Sequence, residues 1–134
     1  MSNLNTKYHI LVVEDHHLNR RLADMFLTKL NCRQSFCENG EEAVKLVQQE
    51  NFDLILMDIN MPVMDGQTAM KAIRAMPNEK SKIPIVAHSA DASRENREQS
   101  IISGANAFMP KPVEFVSFQN VIMTLLKSTS LRKY

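Results

Sequence analysis

Three nearly continuous apolar runs constrain this chain more than any other feature: HILVV within Tyr8–Val13, LILM within Asp53–Met57 and IPIVA within Ile83–His88. A strand with one wet face alternates apolar and polar residues, whereas a strand covered on both faces is apolar throughout, as parallel strands are. Two weaker runs, Cys32–Cys37 (CRQSFC) and Ala105–Met109 (ANAFM), carry more polar residues, as sheet edges do. Between the runs lie stripes at helical spacing. Leu18, Leu22, Met25, Phe26 and Leu30 form one, Ala43, Val44 and Val47 a second, and Ala69, Met70, Ile73 and Met76 a third. A polar helix is predicted over Ala92–Ser103, with Ile101 and Ile102 as its strongly apolar members. The last helix, predicted over Glu114–Lys127, carries an apolar face of Phe115, Phe118, Ile122 and Leu125, with Val121 on its margin. Asn39-Gly40, Asp65, Pro77-Asn78 and Ser103-Gly104 supply the caps and breaks between these segments.

The alternation of five runs with five helical segments implies a parallel sheet with right-handed crossovers and helices on both faces. Placing the two weak runs at the edges favours the strand order 2-1-3-4-5, a flavodoxin-like (βα)5 three-layer sandwich. A chain of 134 residues suits one domain, expected over 8–128 with an N-terminal extension 1–7 and a tail 129–134. Sixteen basic against fifteen acidic residues give a formal charge of +1, which argues against a nucleic-acid surface. No apolar run approaches the roughly 20 residues that span a bilayer, so no membrane partner is expected. Cys32 and Cys37 fit neither a disulfide scaffold nor a zinc spacing and read as free thiols in a reducing, cytoplasmic setting. Neither GxGxxG nor GxxxxGK[ST] occurs, which removes dinucleotide and P-loop nucleotide binding.

In open α/β sheets, ligands bind outside the carboxyl ends of the strands, near the point where strand order reverses. Four runs end in reactive polar residues: Glu14-Asp15 after the first, Asp58 after the third, Ser89 after the fourth and Lys111 after the fifth. Three carboxylates brought together repel one another, and a hard divalent cation with oxygen ligands, Mg²⁺ (or Mn²⁺), removes the conflict. Fixed positive charge around one carboxylate suits phosphoryl transfer, in which positioning and charge neutralisation do most of the catalysis. Asp58 then reads as a nucleophile that becomes an acyl phosphate. Glu14 and Asp15 hold the metal, Ser89 donates to a phosphoryl oxygen, and Lys111 pairs with another.

These residues resemble the receiver domain of two-component response regulators. ILVVEDHHLNR is similar to that family's first strand and acidic pair, and DLILMDINMPVMDG to its third strand, phosphoacceptor and following loop. IPIVAHSA resembles the fourth strand with its Ser/Thr, and GANAFMPKPV the fifth strand with its Lys-Pro. The match runs from about Tyr8 to Lys127, and Asn19-Arg20 after the acidic pair resembles the receivers of hybrid sensor kinases. The resemblance implies that Asp58 accepts phosphate from a sensor histidine kinase or a histidine phosphotransfer protein. It implies Mg²⁺ on Asp15, Asp58 and the backbone carbonyl of Asn60, with Glu14 helping through a water, and a cis Lys111–Pro112 bond. It also places Phe108 at the family's aromatic switch position. The face made by the fourth helix, fifth strand and last helix then becomes the surface for a homodimer or an effector.

Some positions depart from the family's usual pattern: His16 follows the acidic pair where Asn is common, His88 precedes Ser89 where an aliphatic is common, and the switch residue is Phe rather than Tyr. His16-His17 reads as a solvated pair, and His88 as a packed strand histidine with its hydrogen bond made. Met61, Met64, Met70 and Met76 read as core and loop packing. Two other functions share parts of this pattern. A phosphohydrolase of the haloacid dehalogenase type also forms an aspartyl phosphate, but it needs a proton-relaying Asp two residues later, where this chain has Asn60. A degenerate, unphosphorylated receiver acting as an interaction module would lack one of Asp15, Asp58 or Lys111.

Overall fold

In the computed structural model, which describes residues 8–61 and 64–132, the five apolar runs become five parallel strands. They are β1 (Tyr8–Val13), β2 (Cys32–Cys37), β3 (Leu54–Asp58), β4 (Ile85–Ser89) and β5 (Ala107–Pro110). The helices are α1 (His17–Lys29), α2 (Gly40–Gln49), α3 (Gly66–Arg74), α4 (Arg94–Ser103) and α5 (Phe115–Arg132), with a short 3₁₀ turn at Asn78–Lys82. The sheet order is β2-β1-β3-β4-β5, as expected from the weak edge runs. The extension 1–7 and residues 133–134 of the expected tail lie outside the described residues.

The continuous apolar runs are explained by two cores. Successive side chains of a strand point to opposite faces. Leu11, Val13, Ile55, Met57, Ile85 and Ala87 pack against Ala43 and Val47 of α2 and Ala69, Met70 and Ile73 of α3. Their neighbours Ile10, Val12, Leu54, Leu56 and Val86 pack against Ala23 and Leu27 of α1 and Phe118, Ile122 and Leu126 of α5. Met61 and Met64 pack at the edge of the first core, Met70 lies within it and Met76 borders it, in line with the packing role expected of them.

The strands β3, β4 and β5 sit one or two residues later than the apolar runs. Pro84 has no N–H to give a ladder, and the Ala105 N–H turns back to Ser100 O (3.0 Å) while that of Gly104 bonds Ile101 O (3.1 Å). This pair of bonds ends α4 in a Schellman motif with Gly104 at φ 128°, a conformation a side chain would strain. Ala105 therefore belongs to the helix terminus and β5 starts after it.

Three helices differ from their sequence patterns. In α1 the stripe expected to be buried is partly in water: Leu18 is 63% and Met25 60% exposed, and Leu22 is at the surface too. The core takes Ala23 and Leu27 instead, because Ala23 lets the helix approach the sheet and Phe26 meets Phe115 and Phe118 edge-on, with ring centroids 5.3 and 5.1 Å apart. In α4, Ile101 and Ile102 face solvent while the small Ser100 and Ser103 are buried. In α5 the buried line is Phe118, Ile122 and Leu126 at i, i+4 and i+8, with Phe115, Val121 and Leu125 flanking it. That helix also runs on to Arg132, through residues 129–132 of the expected tail.

One glycine shapes the carboxyl end of β3. A Cβ on Gly66 would lie 2.4 Å from the Asp58 carbonyl oxygen and 2.9 Å from Ile59 Cα. These are backbone atoms that cannot rotate away. Gly66→Ala is therefore expected to destabilise the fold by about 1–3 kcal/mol, the usual cost of overpacking, in a urea titration. An unchanged midpoint would show that the loop after β3 can yield.

Candidate functional site

The carboxyl ends of β1, β3, β4 and β5 meet in one cleft. Asp58 is the last residue of β3, the strand at the centre of the sheet, and is 5% exposed. Glu14, one residue past β1, is 4% exposed and anchored by its N–H to Cys37 O (3.0 Å). Its Oε2 accepts the His16 N–H (3.1 Å) just before α1 begins. Asp15 is exposed beside them, and Glu14, Asp15 and Asp58 each bring a carboxylate oxygen within 4.8 Å of the others. The structure thus brings together the three carboxylates expected from strand ends alone.

Lys111 closes the site from β5. Its Nζ is 2.7 Å from Glu14 Oε1 and 3.4 Å from Asp58 Oδ1, with the side chain only 15% exposed. The Lys111–Pro112 peptide bond is cis, as the family resemblance implied, and the Lys111 N–H bonds Ser89 O (2.8 Å). Lys111 was expected to face the acceptor, yet its shorter contact is to Glu14. The ammonium sits against the carboxylate that ionises more readily. Burial pushes the Asp58 carboxyl up to about 6 and the Glu14 charge pushes the same way, against the pull of Lys111. Burial also pushes Glu14 up, but the hydrogen bonds from Lys111 and from the His16 N–H outweigh it and hold Glu14 below its usual value.

The other expected residues stand around this pair. Ser89 is fully buried, and its Oγ accepts from the Asp91 N–H (3.1 Å), Asn96 Nδ2 (3.2 Å) and Asn60 Nδ2 (3.4 Å). The Asn60 N–H donates to Asp58 Oδ1 (3.3 Å), so Asn60 lies against Asp58. Phe108 is half-buried on β5 with the Arg97 guanidinium 5.2 Å from its ring centroid. His16 and His17 are both exposed, as a solvated pair should be. His88 corrects an expectation: its Nε2 is buried without a hydrogen-bond partner. Burial, aided by the Lys111 charge, pushes its pKa down to about 4, so the ring is neutral. It lines a cleft of about 330 Å³ between α1 and α5, with Leu22, Phe26, Lys111 and Phe118.

Two polar residues escaped the sequence reading. Arg74, at the end of α3, donates to Gly104 O (3.0 and 2.8 Å), Ser81 O (2.8 Å), Ile83 O (2.7 Å) and Asn106 Oδ1 (2.9 Å), tying α3 to the loops that enter β4 and β5. Asn96 looked like one more polar residue on a polar helix. No local signal marks either, because their partners are backbone carbonyls, a side-chain amide oxygen and a hydroxyl from distant or looped segments.

A parallel five-stranded α/β sandwich with an acidic cluster and a lysine at the carboxyl ends of its strands defines a small class of proteins, and similarity narrows it. Residues 10–123 match the family model of the response regulator receiver domain. The chain is 38% identical over 128 residues to hybrid signal transduction histidine kinase M of Dictyostelium discoideum, with 92% of this chain and 5% of that protein aligned. It is also 38% identical over 124 residues to the sensor protein GacS of Pseudomonas syringae pv. syringae, covering 91% of this chain and 13% of that protein. Among solved structures, the receiver domain of a Pseudomonas aeruginosa sensor histidine kinase, crystallised with magnesium coordinated in its active site cleft, has a TM-score of 0.84. It is 32% identical, and the match covers 90% of this chain and 98% of that one. The chemotaxis regulator CheY4 of Vibrio cholerae, 26% identical with a TM-score of 0.81, covers 90% of this chain and 99% of that one. This chain belongs to the response regulator receiver domain family. It is a two-component signalling domain homologous to the receivers of hybrid histidine kinases, and it spans only a small part of the length of those relatives. No helix among the described residues is long and apolar enough to cross a membrane.

The raised Asp58 pKa has a consequence for stability. The folded chain holds this proton more tightly than the unfolded chain does between the ordinary carboxylate value of 3.8 and about 6. Metal-free stability from this group is therefore lost as pH rises through about 6. Asp58→Asn removes the buried charge and leaves Lys111 its shorter partner Glu14. In EDTA it is expected to raise the melting temperature near neutral pH, with the gain fading in acid. A lower melting temperature at neutral pH would contradict this electrostatic account.

Proposed function

We propose that Asp58 accepts a phosphoryl group from the phosphohistidine of a sensor histidine kinase or a histidine phosphotransfer protein. The observation that carries this reading is the setting of Asp58: a buried carboxylate ending the central strand, with the Lys111 ammonium 3.4 Å away and Glu14 and Asp15 beside it. An Asp58 carboxylate oxygen attacks phosphorus in line. The new O–P bond forms as the P–N bond to the donor imidazole breaks, and the electron pair returns to the ring. Lys111 turns from Glu14 to a phosphoryl oxygen, and the Ser89 hydroxyl donates to another.

The cluster fits a hard divalent cation, because its donors are all carboxylate oxygens that repel one another without one. Glu14, Asp15 and Asp58, with the Asn60 backbone carbonyl, would hold Mg²⁺ or Mn²⁺. Such an ion supplies neutralisation of the charge on the phosphoryl oxygens. The magnesium in the cleft of the Pseudomonas aeruginosa receiver supports this assignment.

The exposed Leu18, Leu22 and Met25 on α1 supply an apolar surface beside the cleft, suited to a helix carrying the donor histidine. The face of α4, β5 and α5, where Ile101 and Ile102 are exposed and Phe108 lies under Arg97, serves a second copy or an effector, with Ser89 and Phe108 as the switch. A cytoplasmic site of action belongs to the same reading, supported by the buried free thiols Cys32 and Cys37.

Two measurements test this proposal. Incubation with acetyl phosphate or phosphoramidate and Mg²⁺ should add one acid- and base-labile phosphoryl group, placed on Asp58 by mass spectrometry and abolished in Asp58→Asn. Labelling of a histidine instead would overturn the acceptor assignment. Mg²⁺ at 100-fold over its dissociation constant should stabilise the fold by about 2.7 kcal/mol. Identical melting curves in EDTA and in millimolar Mg²⁺ would remove the metal site.

A further inference from the structure

We infer that Asn96, in the first turn of α4, is a positioning residue that latches the Ser89 hydroxyl in its resting place, and that phosphoryl acceptance has to break this latch. The inference rests on the acceptor reading of Asp58 and adds a residue to it. Three donors converge on Ser89 Oγ: the Asp91 N–H at 3.1 Å, Asn96 Nδ2 at 3.2 Å and Asn60 Nδ2 at 3.4 Å. A hydroxyl oxygen has two lone pairs, so the two shorter bonds fill it and the longer Asn60 contact is surplus. The orientation of the Asn96 amide is settled by its other contact. Nδ2 also lies 2.6 Å from the Asp91 carbonyl oxygen, which can only accept, so nitrogen rather than oxygen faces both groups. Ser89 is fully buried, and water does not replace a bond lost there.

Asn96 is itself tied into the start of α4. Its N–H caps on Ser93 Oγ (3.2 Å), and its carbonyl accepts from Ser100 Oγ (2.9 Å). The next residue, Arg97, donates to Ala92 O (3.1 Å) and holds its guanidinium over the Phe108 ring. Adjacent residues of one helical turn therefore restrain both Ser89 and Phe108. Asn96 and the Asp91 N–H occupy the lone pairs of Ser89 Oγ and leave its proton free, so in this inference it is the shift of Oγ toward a phosphoryl oxygen on Asp58 that breaks the Asn96 bond. That loss frees the turn that also holds Arg97 over Phe108. Asn96 thus opposes the phosphorylated state and, by the same bond, transmits it to α4.

The test is the affinity for beryllium fluoride, a phosphoryl mimic, at saturating Mg²⁺. Asn96→Ala should bind it about two- to tenfold more tightly, the range that one neutral hydrogen bond accounts for. Backbone amide shifts at residues 93–97 on binding should shrink, since the latch is already open. Glu95→Ala, in the same turn but making no contact with Ser89, should leave the affinity unchanged, and melting curves of both variants read any loss of helix stability separately. Unchanged or weaker binding by Asn96→Ala, or equal tightening by Glu95→Ala, would overturn the latch while leaving the acceptor reading intact. No binding by the unsubstituted chain would overturn both.

Discussion

The site depends on one ammonium set against two buried carboxylates. Glu14 and Asp58 come from different strands, and neither could stay ionised at such low exposure without a counter-charge. Lys111 supplies it from β5, on the far side of the sheet from Glu14, so a single charge cluster joins β1, β3 and β5 at their carboxyl ends. With Asp15 counted, three carboxylates face one ammonium, and the cluster is two positive charges short of balance. That imbalance makes the cleft a place for a cation.

The two cores make such a site affordable. Strands covered on both faces are rigid platforms: Met57 is paired with Val13 of β1 and Ala87 of β4, and Asp58 after it is paired with His88 of β4. The chain at Asp58 and Ile59 is pressed against α3 through Gly66, and Arg74 at the other end of α3 fastens the entries to β4 and β5. Against this frame α4 is held differently from the other helices. It buries two serines rather than a hydrophobic stripe, and much of its attachment is by hydrogen bonds at its first turn and at Arg74.

The strand order and the convergence of Glu14, Asp15, Asp58, Ser89 and Lys111 were legible in the sequence for a physical reason. Burial on both faces forces apolar runs, and the topology of a parallel sheet sends every strand end to the same edge. The helices were legible as elements but not in their facing. Leu18, Leu22 and Met25 make as regular a stripe as Ala23, Phe26 and Leu27, and periodicity alone cannot say which of two overlapping stripes a neighbouring helix will cover.

What the sequence by itself determined is thus the architecture and which polar residues meet at the strand ends, because both follow from short-range pattern and chain topology. The tertiary structure decided the rest: that Lys111 lies nearer Glu14 than Asp58, that His88 holds a neutral ring without a partner for Nε2, and that Ser89 is bound to Asn96. Each of these is a choice among partners far apart in the chain or on a loop of irregular path. Distances of a few tenths of an ångström in a buried, weakly screened setting settle such choices, and no local pattern encodes them.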